Sequence, residues 1–117
     1  MIHPTKEAVY VAILEILTRL VAGDVNGVEQ ITHGKRLPAP ELRAALSSIP
    51  TPLTLPPTDS LRRVASECVE NWQNGSPSCA LDIDLWTDGE PSDLTVEMTI
   101  WRGSGAPVIE IDNIHTL

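Results

Sequence analysis

The apolar residues of this chain change their spacing after Trp72, from intervals of three and four to intervals of two. That change constrains the fold more than any single motif, because a period near 3.6 buries one face of a helix and a period of two buries one face of a strand. Before it, Val9, Ile13, Ile16, Leu17 and Leu20 form one helical stripe, and Leu42, Ala45, Leu46 and Ile49 a second. Leu61, Val64, Ala65, Cys68, Val69 and Trp72 form another. After it, Leu81, Ile83 and Leu85, then Leu94, Val96, Met98 and Ile100, then Ile109 and Ile111 alternate with other residues. Helices first and a sheet last predict an α+β domain, with three to four helices packed on one face of an antiparallel meander of three or four strands. A chain of 117 residues is the size of one domain, with a helical part at 4–73 and a sheet part at 79–117.

Turn residues set the boundaries. Pro4 suits the start of the first helix and Gly23 a left-handed stop, after which Asp24 can cap a short helix carrying Val25, Val28 and Ile31, although Gly27 weakens it. Residues 33–39 read as a loop, and Pro40 opens the third helix. Four prolines between Pro50 and Pro57 end that helix and leave room for a short edge strand at Leu53–Leu55. Thr58 or Asp59 is the expected cap of the last helix, and Asn74, Gly75 and Pro77 close it. Strands are expected at Cys79–Thr87, Asp93–Arg102 and Pro107–Leu117, with turns at Asp88-Gly89 and Gly103-Ser104-Gly105. Five residues separate the first two strands, so a tight two-residue hairpin is not implied. Ile111 and Ile114 have opposite parity, and a bulge at Asp112-Asn113 would return Ile114 to the core side.

Charge is as segregated as periodicity. Residues 80–117 hold eight carboxylates against Arg102 alone, whereas residues 1–79 hold eight acids and seven bases. If the alternating aliphatic residues face the core, Asp82, Asp84, Asp93, Glu97, Glu110 and Asp112 face away from it. Trp86 and Trp101 share that parity, while Asp88 and Glu90 belong to the first turn. These ten residues are the candidate partner-binding set. A pI near 4.6 argues against nucleic acid and anionic membrane and favours a basic protein as partner. With three Trp, one Tyr and no Phe, the core must be mainly aliphatic, which leaves little to line an aromatic ligand pocket.

Motifs for chemistry are sparse. His115, with Asp112 or Asp82 nearby, offers a general acid–base pair but no nucleophile, and His3 and His33 fall in loops without ligand spacing. Asp82-x-Asp84 followed by Asp88-Gly89-Glu90 invites a calcium reading, which strand alternation opposes by spreading the acids along a face. There is no glycine-rich phosphate loop, nucleophile elbow or paired metal motif. Neither cofactor, metal nor catalysis is therefore expected. Arg62 and Arg63 lie off the apolar stripe and are expected in solvent. Cys68 and Cys79 match no zinc or redox spacing; free thiols in a reducing cytoplasm are the first reading and a disulfide the second. The apolar run Ala8–Ala22 is broken by Glu15 and Arg19, and no basic segment precedes it, so neither a signal peptide nor a membrane span is expected and the location is read as cytoplasmic.

The phrase "LVAGDVNGVEQI" after an amphipathic first helix resembles the opening of NTF2-like (cystatin-like) domains, and the ending "IEIDNIHTL" is similar to theirs. More narrowly, "DLWTDGEPSDLT" with this ending resembles a small bacterial domain of unknown function. The resemblance implies a cone-shaped α+β architecture that hosts enzymes, binding modules and immunity proteins alike. This chain departs from the enzymatic members in lacking their aromatic pocket lining. The expectation is a non-enzymatic acidic protein-binding domain, most concretely an immunity-type inhibitor that neutralises a basic toxin. The alternative is a small NTF2-like enzyme or ligand-binding protein with a pocket between helices and sheet, reached by His115. A third reading is a homodimer that pairs through its sheet.

Overall fold

A computed structural model describes residues 4–34, 36–49, 51–103 and 106–116. Its elements run α1 (Lys6–Val21), α2 (Val25–Thr32), α3 (Ala39–Ser47), β1 (Leu53–Thr54), α4 (Thr58–Gln73), β2 (Ser78–Thr87), β3 (Glu90–Trp101) and β4 (Val108–Thr116). The strands form one antiparallel sheet in the order β1-β2-β3-β4. This is the α+β arrangement anticipated from the two periodicities, including the short edge strand among the prolines. Lys35, Pro50, Ser104, Gly105, Leu117 and the first three residues, His3 among them, lie outside the described residues.

Local chemistry explains the helix boundaries. The Thr5 hydroxyl accepts the Ala8 N–H at 3.1 Å to start α1, and Gly23 ends it with a φ of +75°. Asp24 then caps α2, one carboxylate oxygen accepting the Gly27 N–H at 3.1 Å and the other held by Arg19 at 2.8 Å. Gly27 makes room for this arrangement: a Cβ there would fall 2.2 Å from the Asp24 carboxylate and 2.6 Å from the Arg19 guanidinium. The glycine that weakens α2 by propensity thus admits its cap. α4 is capped at Pro57, not at Thr58 or Asp59, and no side chain serves as its cap. The Pro57 carbonyl instead accepts from Ser60 and Leu61. α3 stops at Ser47, with Ile49 beyond its end yet still packed on the core.

One buried cluster joins the helices to the inner sheet face, combining Val9, Ile13, Ile16, Leu17 and Leu20 of α1 with Leu61, Ala65, Cys68 and Trp72 of α4 and Ile83, Val96, Met98, Ile100 and Ile111 of the sheet. Each fully buried aliphatic side chain contributes about 1.5–3 kcal/mol relative to exposure. Arg62 is exposed, as its position off the stripe suggests, and still links two helices. Its guanidinium lies 4.0 Å from the centroid of the Tyr10 ring and 2.6 Å from Glu7, joining α4 to α1.

Strand register decides which side chains reach the outer face. The β2–β3 hairpin has the tight two-residue turn that the spacing did not imply: Asp88 (φ +52°) and Gly89 (φ +76°) lie between paired Thr87 and Glu90. β3 therefore begins before Asp93, and the surplus is absorbed by a bulge in which Ser92, Asp93 and Leu94 oppose Leu85 alone. The Ser92 hydroxyl secures it, donating to the Leu85 carbonyl at 2.6 Å and accepting the Leu94 N–H at 3.1 Å. In β4 the bulge is where parity requires it. Glu97 pairs with Asn113 and Met98 with Ile111, so Asp112 is the extra residue and Ile114 returns to the core at 8% exposure.

Candidate functional site

The outer sheet face is a grid of cross-strand rows. Asp84 lies opposite Thr95, which lies opposite His115; Asp82 opposite Glu97, then Asn113; Ala80 opposite Thr99, then Glu110; and Ser78 opposite Trp101, then Val108. The strand pattern thus brings Asp82, Asp84, Glu97, Glu110, Asp112 and Trp101 onto one face. Their environments differ sharply between its two sides.

The β4 side carries its own cation. Glu110, expected as an exposed acid, is only 9% exposed. One of its oxygens accepts the Trp101 indole N–H at 2.5 Å and the other lies 3.6 Å from Nε of Arg36. The same guanidinium reaches Asp112 at 3.2 Å, and Asp112 also accepts the Thr99 hydroxyl at 2.6 Å. Arg36 arrives from the α2–α3 connection, carried to β4 because α2 and α3 pack along that strand. A buried carboxylate requires such partners, since desolvation without them costs several kcal/mol. Trp101 remains 36% exposed beside exposed Val108, its indole nitrogen already engaged.

The β2 side stays open. Asp82 and Asp84 are exposed, and among the described residues neither forms an ion pair. Asp84 accepts the Thr95 hydroxyl at 3.2 Å. Glu97, half-buried between them and β4, lies 3.5 Å from Nε2 of His115. This is an ion pair only while the imidazole is protonated. His115, considered with Asp112 or Asp82 as an acid–base pair, is thus set against Glu97.

Asp82, Asp84 and Trp86 also form one wall of a cleft of about 280 Å³, whose other wall is Arg63, Val64 and Glu67 of α4. Pro91, the cross-strand partner of Trp86, and Pro56 close its end. Arg63, expected in solvent, is exposed and turned toward this cleft.

The remaining candidates are separated from that cluster. Asp88 forms the exposed hairpin turn and Glu90 pairs with Thr87 at its base. Asp93, expected to share the face, is carried by the Ser92–Leu94 bulge into a different cleft with Ser48, Ile49 and Thr51. Arg36, Thr95 and Thr99 were not among the expected site residues. Parity alone places both threonines on the carboxylate side, but nothing in a loop's composition indicates where Arg36 will reach. Among the described residues no group of three or more His, Cys, Asp or Glu side chains could hold a metal ion, and no helix is long and apolar enough to cross a membrane.

Residues 17–117 match the model of a family described as a domain of unknown function, DUF7668. The match begins within α1 and takes in every element after it. No curated protein and no solved structure matches the chain.

Proposed function

We propose that this chain, which belongs to the DUF7668 family, is a non-enzymatic binding domain that receives a basic protein on the β2 side of its outer sheet face. The observation that carries the proposal is the acidic set Asp82, Asp84 and Glu97, which no Lys or Arg among the described residues pairs. Like charges placed directly opposite destabilise a sheet, and a cationic partner removes that cost on binding. The fold already does this once, where Arg36 meets Glu110 and Asp112. Trp86 at the edge of the cleft supplies an aromatic anchor, and Asp88 and Glu90 extend the field as a rim. Complementary fields speed encounter, and desolvated charge pairs slow release. An immunity-type inhibitor covering a cationic toxin is the concrete form of this reading.

A ligand carrier or enzyme would need a polar pocket between helices and sheet reached by His115. That space is occupied by Ile83, Val96, Met98, Ile100 and Ile111, each 5% exposed or less. Filling of the interior favours a surface function.

The test starts with capture of partners on the immobilised chain and their identification by mass spectrometry. The captured protein is then titrated against the double variant Asp84→Lys, Glu97→Lys. Affinity is expected to fall by orders of magnitude, with a flatter salt dependence. A basic partner that binds the variant unchanged overturns the proposal.

A further inference from the structure

The chain's two cysteines meet in the core, although they lie in different elements. Cys68 is fully buried on the inner face of α4, and Cys79, 3% exposed, is the second residue of β2. Asn71 locates them relative to each other. Its side-chain amide donates to the Cys79 sulfur at 3.2 Å, and Asn71 lies three residues after Cys68, a spacing that makes the two neighbours on a helix surface. Cys79 therefore sits against the turn of α4 that carries Cys68. Both are free thiols here. The segment between them contains the helix end at Asn74 and Gly75, whose φ of +98° reverses the chain direction.

We propose that Cys68 and Cys79 are a dithiol pair that a low-molecular-weight disulfide converts into a cross-link between α4 and β2. The sulfur of one cysteine attacks the reagent disulfide as its thiolate, releasing one small thiol and leaving a mixed disulfide. The second cysteine's thiolate then attacks the protein sulfur of that intermediate and releases the second small thiol. The two cysteine sulfurs lose two protons and two electrons and gain one S–S bond, while the reagent is reduced to two thiols. Burial and the neighbouring Cys79 raise the Cys68 thiol above its ordinary value, so the folded reduced chain reacts slowly and exchange runs through opening of the α4–β2 junction. The cross-link closes a short loop, removes freedom from the unfolded chain, and joins the two elements that wall the acidic cleft.

The full chain is unfolded, refolded in glutathione buffers of graded reduced-to-oxidised ratio, trapped with an alkylating agent and weighed by mass spectrometry. The expected product lacks two hydrogens, carries no glutathione and no alkyl group, is monomeric, reverts with dithiothreitol, and melts several degrees higher than the reduced chain. Cys68→Ser and Cys79→Ser, run in parallel with circular dichroism to confirm folding, should each take one glutathione under oxidising conditions and show no such rise. A refolded wild-type chain that carries glutathione, links to a second copy, or stays alkylatable at the most oxidising ratio overturns the proposal.

Discussion

Asp82 and Glu97 are direct cross-strand partners on the outer face of the sheet, carboxylate opposite carboxylate. In the adjacent row of that face Glu110, with Asp112 beside it on β4, presents the same problem and meets it with Arg36. The difference is not one of local sequence, since all four acids follow the same alternation. It arises because the α2–α3 connection passes along β4, while the β2 side is bordered by α4, whose Arg63 lines the cleft with no ion pair among the described residues.

Replacing Asp82 with Lys turns a repulsive cross-strand pair into an attractive one. The unfolding free energy is expected to rise by about half a kcal/mol in low salt, the exposed setting holding the gain well below that of a buried pair. The gain should shrink as salt is added. Urea denaturation at two ionic strengths measures both, and no gain at low salt would show that the pair's repulsion is not felt. The same variant should bind a basic partner less well, so stability and binding move in opposite directions.

Arg36→Ala removes the guanidinium shared by Glu110 and Asp112 and leaves Glu110 buried against the Trp101 indole alone. The expected loss is about 1–2 kcal/mol, less than for a fully buried pair because half of the Arg36 side chain is in water. Glu110→Gln in the same chain should recover part of it, because a neutral amide tolerates burial better than an unpaired carboxylate. A double-mutant cycle between Arg36 and Glu110 by chemical denaturation isolates the coupling. A coupling energy near zero would mean that the bridge contributes nothing.

The Cys68 thiol, held protonated by burial and by Cys79, ties stability to alkaline pH. Its folded pKa lies above that of the unfolded chain, so the stabilisation is complete below about pH 8.5, the ordinary cysteine value. Above that pH the unfolded chain releases a proton that the folded chain retains, and stability falls by up to about 1.4 kcal/mol per pH unit. Urea denaturation from pH 7 to pH 10 in the presence of a reductant should show the decline. Cys68→Ala, less stable at neutral pH for lack of packing, should show a shallower one. Parallel profiles for the two chains would assign the alkaline loss to other groups.

What could be read from the residues and what could not follow from the range of the interactions. Helix stripes, the Asp24 cap and the sheet parity are local patterns, and each survives into the fold. The Asp112 bulge was legible because Ile111 and Ile114 cannot both reach the core from an unbroken strand. The hairpin length was not: Glu90 and Pro91 lack strand character, and only the Ser92–Leu94 bulge lets them pair with Thr87 and Trp86. The surroundings of the acids on β4 were not legible for a similar reason. Parity places Glu110 on the outer face, but its burial depends on Arg36, 74 positions earlier in the numbering, and on Trp101 across the strand. Arg62 illustrates the same limit, since its lack of fit to the α4 stripe says nothing of the Tyr10 ring on another helix.

Deletion of Asp112 tests the sheet register directly. Without the extra residue, β4 faces β3 as a regular ladder, and the residues on either side of the deletion keep their present partners and faces. Asn113 would stay opposite Glu97 and Ile114 opposite Val96, so Ile114 keeps its place in the core. The deletion should therefore cost only the Arg36 and Thr99 contacts at Asp112, about 1–2 kcal/mol. Asp112→Asn keeps the residue count, and with it the bulge, and should lose only the charged part of the Arg36 contact, about 1 kcal/mol or less. The comparison separates register from charge in a single denaturation experiment. A deletion that costs about 3 kcal/mol or more, the size of losing Ile114 from the core, would mean that β4 does not close up into that ladder.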